Sequence, residues 1–184
     1  MTLGVGTRGA GVLLFLLALA SARPAAGAGE CTPASLRRAF AEDRPAAIAQ
    51  VAEIPAPVLD AFWRAYGDSD PSRRIADPNQ PFQATDLVQK ELPWRRLIAA
   101  AASPRAAFVL YEKGGRAKTR HLFLVCLADG AAQGAYSSLR APTGYDPTTL
   151  AAALRDGCLV SPPREYAQPS DQKRCPPLPA PDVR

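Results

Sequence analysis

The densest chemistry in this chain lies in one eleven-residue stretch, YEKGGRAKTRH, running from Tyr111 to His121. Lys113, Arg116, Lys118 and Arg120 crowd a short turn, and Glu112 and His121 flank it. The two glycines permit a close approach of backbone to a partner. Arginine forks match carboxylate and phosphate groups, so the turn could bind an acidic surface or an anionic glycan. The candidate binding residues are therefore Glu112, Arg116, Lys118, Arg120 and His121. Asp77 and Asp86, from the polar segment upstream, add contacts of opposite charge. The competing account is a solvated hairpin tip in which Glu112 pairs with a cross-strand arginine. No aromatic residues interleave with the charges, which argues against nucleic acid as a partner.

Catalysis has fewer candidates. His121 is the sole histidine, and no G-x-S-x-G elbow accompanies it. A Ser-His-Asp arrangement would have to draw on Ser137 or Ser138, which lie in a weak strand pattern. A paired-carboxylate mechanism could use Glu112 with Asp77, Asp86 or Glu91. The four cysteines, Cys31, Cys126, Cys158 and Cys175, never stand at C-x₂₋₄-C spacing, so neither a metal nor another cofactor is expected. The leading class is a non-catalytic binding or inhibitory module acting on a cell-envelope protein or an anionic ligand. A small hydrolase acting on envelope material comes second, and a structural envelope protein third.

The setting of these residues is read from the start of the chain. Arg8, an apolar run VLLFLLALA from Val12 to Ala20, and the small-x-small sites Ala20-Ser21-Ala22 and Ala26-Gly27-Ala28 form the pattern of a secretory signal over residues 1–28. The uncharged run from Gly9 to Ala22 falls short of the ~20 apolar residues that span a bilayer. Cys31 follows Glu30 and stands well beyond the apolar run, so it does not fit a lipid-modified cysteine. The expected product is periplasmic or secreted, with no stable membrane insertion after cleavage. Arg8 and Arg23 would leave with the signal, so part of the net charge of +5 belongs to it. A charge this small implies solubility, not nucleic-acid binding. An even number of cysteines in an exported chain suggests two disulfides. Three connectivities are open; the preferred one joins Cys158 to Cys175 and Cys31 to Cys126.

The elements that position the charged turn follow from periodicity. Thr32-Pro33 reads as a helix start with Leu36, Ala39 and Phe40 on one face. Ile48, Val51 and Ala52 suggest a second short amphipathic stretch. Leu59, Phe62, Trp63 and Tyr66 recur at helical spacing, with Gly67 as the C-terminal cap. From Asp68 to Pro93 the pattern is polar and proline-punctuated, a strap anchored by Phe82 and Leu87-Val88. Residues 94–102, 106–113, 119–128 and 131–139 then read as strands, although the alanine run of the first could equally be helical, with Asp129-Gly130 a hairpin turn. Leu122 to Leu127 is apolar without alternation, so both faces of that strand should be covered; helices are expected on one of them. A last helix is expected from Asp146 to Gly157. The expected fold is thus α+β: N-terminal helices, an antiparallel meander of three or four strands, one C-terminal helix and a Pro-rich tail. Residues 29–160 would form the single domain, and 161–184 a tail tethered by a disulfide.

A resemblance adds to this reading. Ile54-Pro55, Ala76-Asp77-Pro78, Phe82-Gln83-Ala84-Thr85-Asp86, Leu92-Pro93 with Arg95-Arg96-Leu97, and Tyr111-Glu112-x-Gly114-Gly115 leading to His121 are similar in pattern to small, uncharacterised exported proteins of Gram-negative bacteria. The pattern covers about half of the chain after the signal and implies export without implying an activity. In outline the architecture also resembles periplasmic lysozyme inhibitors. The short cysteine-bracketed loop of the vertebrate-lysozyme inhibitors, Cys-Lys-Pro-His-Asp-Cys, has no counterpart in this sequence.

Overall fold

Two central strands that are apolar on both faces need a cover on each side, and the chain supplies one helix for each. The computed structural model describes residues 30–66, 74–85, 89, 91–115, 117–138, 154 and 158–165. Helix α1 (Pro33–Glu42) starts as its sequence directs. Thr32 Oγ1 accepts the Ser35 amide at 3.1 Å and Ser35 Oγ accepts the Thr32 amide at 2.9 Å, with Pro33 in the first turn where no amide is needed. Helix α2 (Ala56–Tyr66) follows a single 3₁₀ turn at Val51–Glu53.

The strands are β1 (Ala46–Ile48), β2 (Ile75–Ala76), β3 (Arg95–Ala102), β4 (Ala106–Lys113), β5 (Thr119–Ala128), β6 (Ala131–Ser138) and β7 (Leu159–Val160). They form one sheet in the order β1-β3-β4-β5-β6-β7. All pairings are antiparallel except that of β2, which lies parallel to the start of β3 while β1 covers the far end of the same edge. Asp129 and Gly130 both take positive φ in the β5–β6 turn, as their types require.

Leu36 and Ala39 of α1 pack on Phe108, Leu110, Leu122 and Leu124. Val58, Ala61 and Phe62 of α2 pack on Val109, Tyr111, Phe123 and Val125 of the opposite face. Burying one such side chain contributes roughly 1.5–3 kcal/mol, so the two faces of β4 and β5 carry most of the stabilisation. A bulge between Leu97 and Ala99 resolves the alanine run of β3. It keeps Leu97 and Ala100 together under α2 while Ala101 turns to α1.

The expected fold class is corrected. In place of helices grouped beside a meander of three or four strands, the described residues are mostly sheet, with seven strands and, among those residues, two short helices of ten and eleven residues. The four central strands were legible because each carries eight or more residues of pattern. The three additional strands are two or three residues long, too short for a period of two to register. Ile48, expected on a helix, ends β1, and the helices cover opposite faces of the sheet instead of sharing one. The expected signal at 1–28 and Leu87-Val88 lie outside the described residues. So do the helix from Asp146 to Gly157, apart from Leu154, which is buried in the α1-side core, and the tail beyond Glu165.

One expected disulfide forms. Cys31 and Cys126 are bonded across a sequence separation of 95, joining the entrance of α1 to β5. Cys158 is a buried free thiol, and Cys175, its expected partner, lies outside the described residues.

Candidate functional site

Cross-strand register builds the site. At the hairpin end of the sheet, Arg96 of β3 faces Glu112 of β4, which faces Arg120 of β5. Successive side chains alternate faces, so the neighbouring rows must point the other way. Those rows are Arg95, Lys113 and Thr119 on one side of it, and Leu97, Tyr111 and His121 on the other. The charged turn is therefore split by the sheet into two clusters.

The outer cluster centres on Glu112. Arg96 Nη2 donates to Glu112 Oε2 at 2.7 Å. Lys118 Nζ and Arg120 Nε stand 3.8 and 3.6 Å from Oε1, at ion-pair distance. The Glu112 side chain is 6% exposed, whereas Arg96, Lys118 and Arg120 are 29%, 53% and 43% exposed. A sunken carboxylate is ringed by cations that reach the solvent. Burial pushes the Glu112 carboxyl up, but the Arg96 hydrogen bond and the charges of Lys118, Arg96 and Arg120 outweigh it and hold it below its ordinary range. The Arg96 guanidinium lies 4.4 Å from the Phe82 ring centroid, so the strap forms one wall.

The inner cluster is buried under α2. Arg95 Nε donates to Glu165 Oε1 at 2.7 Å, and the Tyr111 hydroxyl donates to the same oxygen at 3.0 Å. Lys113 pairs with the other carboxylate oxygen. Burial opposes ionisation of Glu165, yet Arg95 and Lys113 together bring its carboxyl below the ordinary value. His121 stacks on Tyr111, with centroids 5.3 Å apart, and its Nε2 lies 2.7 Å from Thr119 Oγ1. Burial, aided by Lys113 and Arg95 against the opposing pull of Glu165, lowers the imidazole to about 4, so it is neutral at pH 7. Burial above all pushes the Tyr66 hydroxyl up to about 12 and that of Tyr111 well above 10, so both keep their protons.

Of the residues singled out from sequence, Glu112, Lys118 and Arg120 come together. His121 does not join them; it is on the opposite face, in the α2-side cluster. Asp77 is engaged elsewhere, its Oδ1 accepting the Val51 amide at 2.6 Å and so tying the strap to the 3₁₀ turn. Arg116 and Asp86 lie outside the described residues. Sequence reasoning missed Arg96, Arg95 and Glu165 as site residues. Arg95-Arg96 carried a usable signal, because two successive arginines in a strand must face opposite sides, and the covered side then demands a carboxylate. Glu165 gave none, standing alone in a proline-rich tail.

Among the described residues no group of three His, Cys, Asp or Glu stands together as a metal site, and no helix is long and apolar enough to cross a membrane. No family model, curated protein or solved structure matches this chain.

Proposed function

We propose that the chain is an exported, non-catalytic binding or inhibitory module that engages anionic groups of a cell-envelope partner through the outer cluster. The observation that carries this reading is the rank Arg96–Glu112–Arg120 on three adjacent strands. Strand pairing fixes the spacing of its guanidinium groups before a ligand arrives, which lowers the ordering cost of binding. Glu112 draws the three cations together, and Arg96, Lys118 and Arg120 are all partly exposed, so an acidic partner would meet cationic side chains on this face.

The test is capture from envelope extract by the exported chain, compared with Arg96→Ala and Arg120→Ala. Support requires a specific anionic partner whose capture both variants weaken and added salt diminishes. Equal capture by both variants would end the assignment of binding to this face.

A second reading, a small hydrolase acting on envelope material, draws on Thr119 Oγ1 at 2.7 Å from a neutral imidazole. A hydroxyl beside a base is the geometry of an activated nucleophile. Turnover of an ester or glycan panel, abolished by Thr119→Val and by His121→Phe, would favour this reading over the first.

A further inference from the structure

The inner cluster is costly by design. Taking ions out of water carries a penalty of several kcal/mol each, and a well-packed apolar replacement is often as stable. Here Arg95, 3% exposed, Lys113 and the Tyr111 hydroxyl converge on one carboxylate. The Arg95 guanidinium also stands 5.7 Å from the Phe62 ring centroid and 5.6 Å from that of Tyr66. Convergent cationic donors against an aromatic wall are what a small carboxylate ligand requires.

The carboxylate itself comes from a short segment that follows the last strand at the sheet's edge. Residues 161–165 follow the two-residue strand β7. The described segment is fastened to β6 through Ser137, whose Oγ donates to the Arg164 carbonyl at 2.7 Å and accepts the Arg164 amide at 2.9 Å. All three donors of the niche, in contrast, sit on the central strands β3 and β4. The donors stand on eight-residue strands inside the sheet, whereas the occupant follows a two-residue strand at its edge.

We propose that Arg95, Lys113 and Tyr111 form a carboxylate-binding site that Glu165 fills in cis, and that a small carboxylate ligand takes this site when segment 161–165 lifts away. The site lies on the face opposite the outer cluster and does not depend on the function assigned there. Tyr111 donates to one ligand oxygen together with Arg95, while Lys113 balances the other, as each now does with Glu165. The segment thereby acts as an internal competitor that sets the ligand concentration needed for occupancy.

The test is chemical rescue of the full exported chain carrying Glu165→Ala, with sodium acetate as probe and sodium chloride at matched ionic strength as control. Acetate should raise the melting temperature of this variant saturably, by about 2–4 °C or more, and leave the wild type unchanged. The double variant Arg95→Met/Glu165→Ala should lose that response. If Glu165→Ala does not fold in chloride, refolding in acetate should restore it. A folded variant indifferent to acetate, an unfolded one that acetate fails to restore, or a response retained without Arg95 would each overturn the proposal.

Discussion

Gly114 and Gln83 are in direct backbone contact: a Cβ built on Gly114 would stand 2.5 Å from the Gln83 carbonyl carbon and closer still to its oxygen. The strap is fixed at that point from both sides. The Gln83 amide donates to the Pro93 carbonyl at 2.8 Å, and the Gly114 amide donates to that of Trp94 at 2.9 Å. The buried Gln83 side chain closes its own loop, donating from Nε2 to the Thr85 carbonyl and accepting the Gln89 amide at Oε1. The glycine that the sequence offered as a docking point for a partner is thus filled by the chain itself.

Gly114→Ala should destabilise the protein by about 2–3 kcal/mol, since the clash is with backbone that cannot rotate away. Gly130→Ala is the control. Its φ of +73° makes an L side chain strained, but nothing lies within 4 Å of the added carbon. That change should stay near 1 kcal/mol. Urea unfolding of the two variants checks the order; equal midpoints would mean that the strap is not seated on the hairpin.

What the sequence made legible, and what it did not, follows from range. The capping pair Thr32 and Ser35, the stripe of α2 and the Asp129-Gly130 turn are local signals, and each acts where its residues stand. Strands β1, β2 and β7 exist only because β3 and β6 offer open edges, a condition that no two- or three-residue window contains. In the site, Glu112, Lys118 and Arg120 were found together because one hairpin holds them. His121 belongs to the other face, the one that alternation along β5 assigns to it together with Phe123 and Val125. Arg95 and Glu165, 70 residues apart, meet only through the fold.

The Cys31–Cys126 bridge should be the principal covalent support. Closing a loop of this length removes roughly 4–5 kcal/mol of unfolded-state entropy in the loop model, and measured losses are typically 2–5 kcal/mol. Cys31→Ser/Cys126→Ser should therefore lower stability by several kcal/mol. Gly134 faces Cys126 across β5 and β6, and a Cβ there would meet Cys31 Cβ at 2.8 Å and Sγ at 3.0 Å. Gly134→Ala should accordingly slow oxidative refolding. Non-reducing peptide mapping should recover Cys31 with Cys126, and Cys158 should resist alkylation until the chain unfolds. A different bridge would contradict the packing of β5 and β6.

The outer cluster should separate binding from folding. Arg120 is 43% exposed and 3.6 Å from Glu112, so Arg120→Ala should change stability by less than about 1 kcal/mol. Arg96→Ala removes the 2.7 Å hydrogen bond to the sunken Glu112 carboxylate and uncovers Phe82, and should cost about 1–3 kcal/mol. Both should weaken capture of an anionic partner. Arg96→Ala/Glu112→Gln should recover part of the stability without recovering binding, a split that a purely structural ion pair would not show.

Stability should depend on pH in two steps that different residues own. The His121 imidazole is pulled from 6.5 to about 4 in the folded protein, first by burial and then by Lys113 and Arg95, with Glu165 opposing. Between these values the unfolded chain binds a proton that the folded chain refuses, so stability is complete above about 6.5 and falls as pH drops toward 4. The full effect of such a shift is about 3 kcal/mol. Glu112 and Glu165 have carboxyls held below their ordinary 4.5, so their contribution is complete above that value and is lost only at lower pH, as each folded carboxylate takes its proton. His121→Phe, which keeps a ring against Tyr111, should flatten the step between 4 and 6.5 and leave the acid limb in place. Glu165→Gln should shrink the acid limb and also lower the imidazole further, since it removes a charge that favours protonated His121. Urea midpoints measured from pH 3 to 8 decide this, and a His121→Phe profile that still falls between 6.5 and 4 would remove the imidazole as its source.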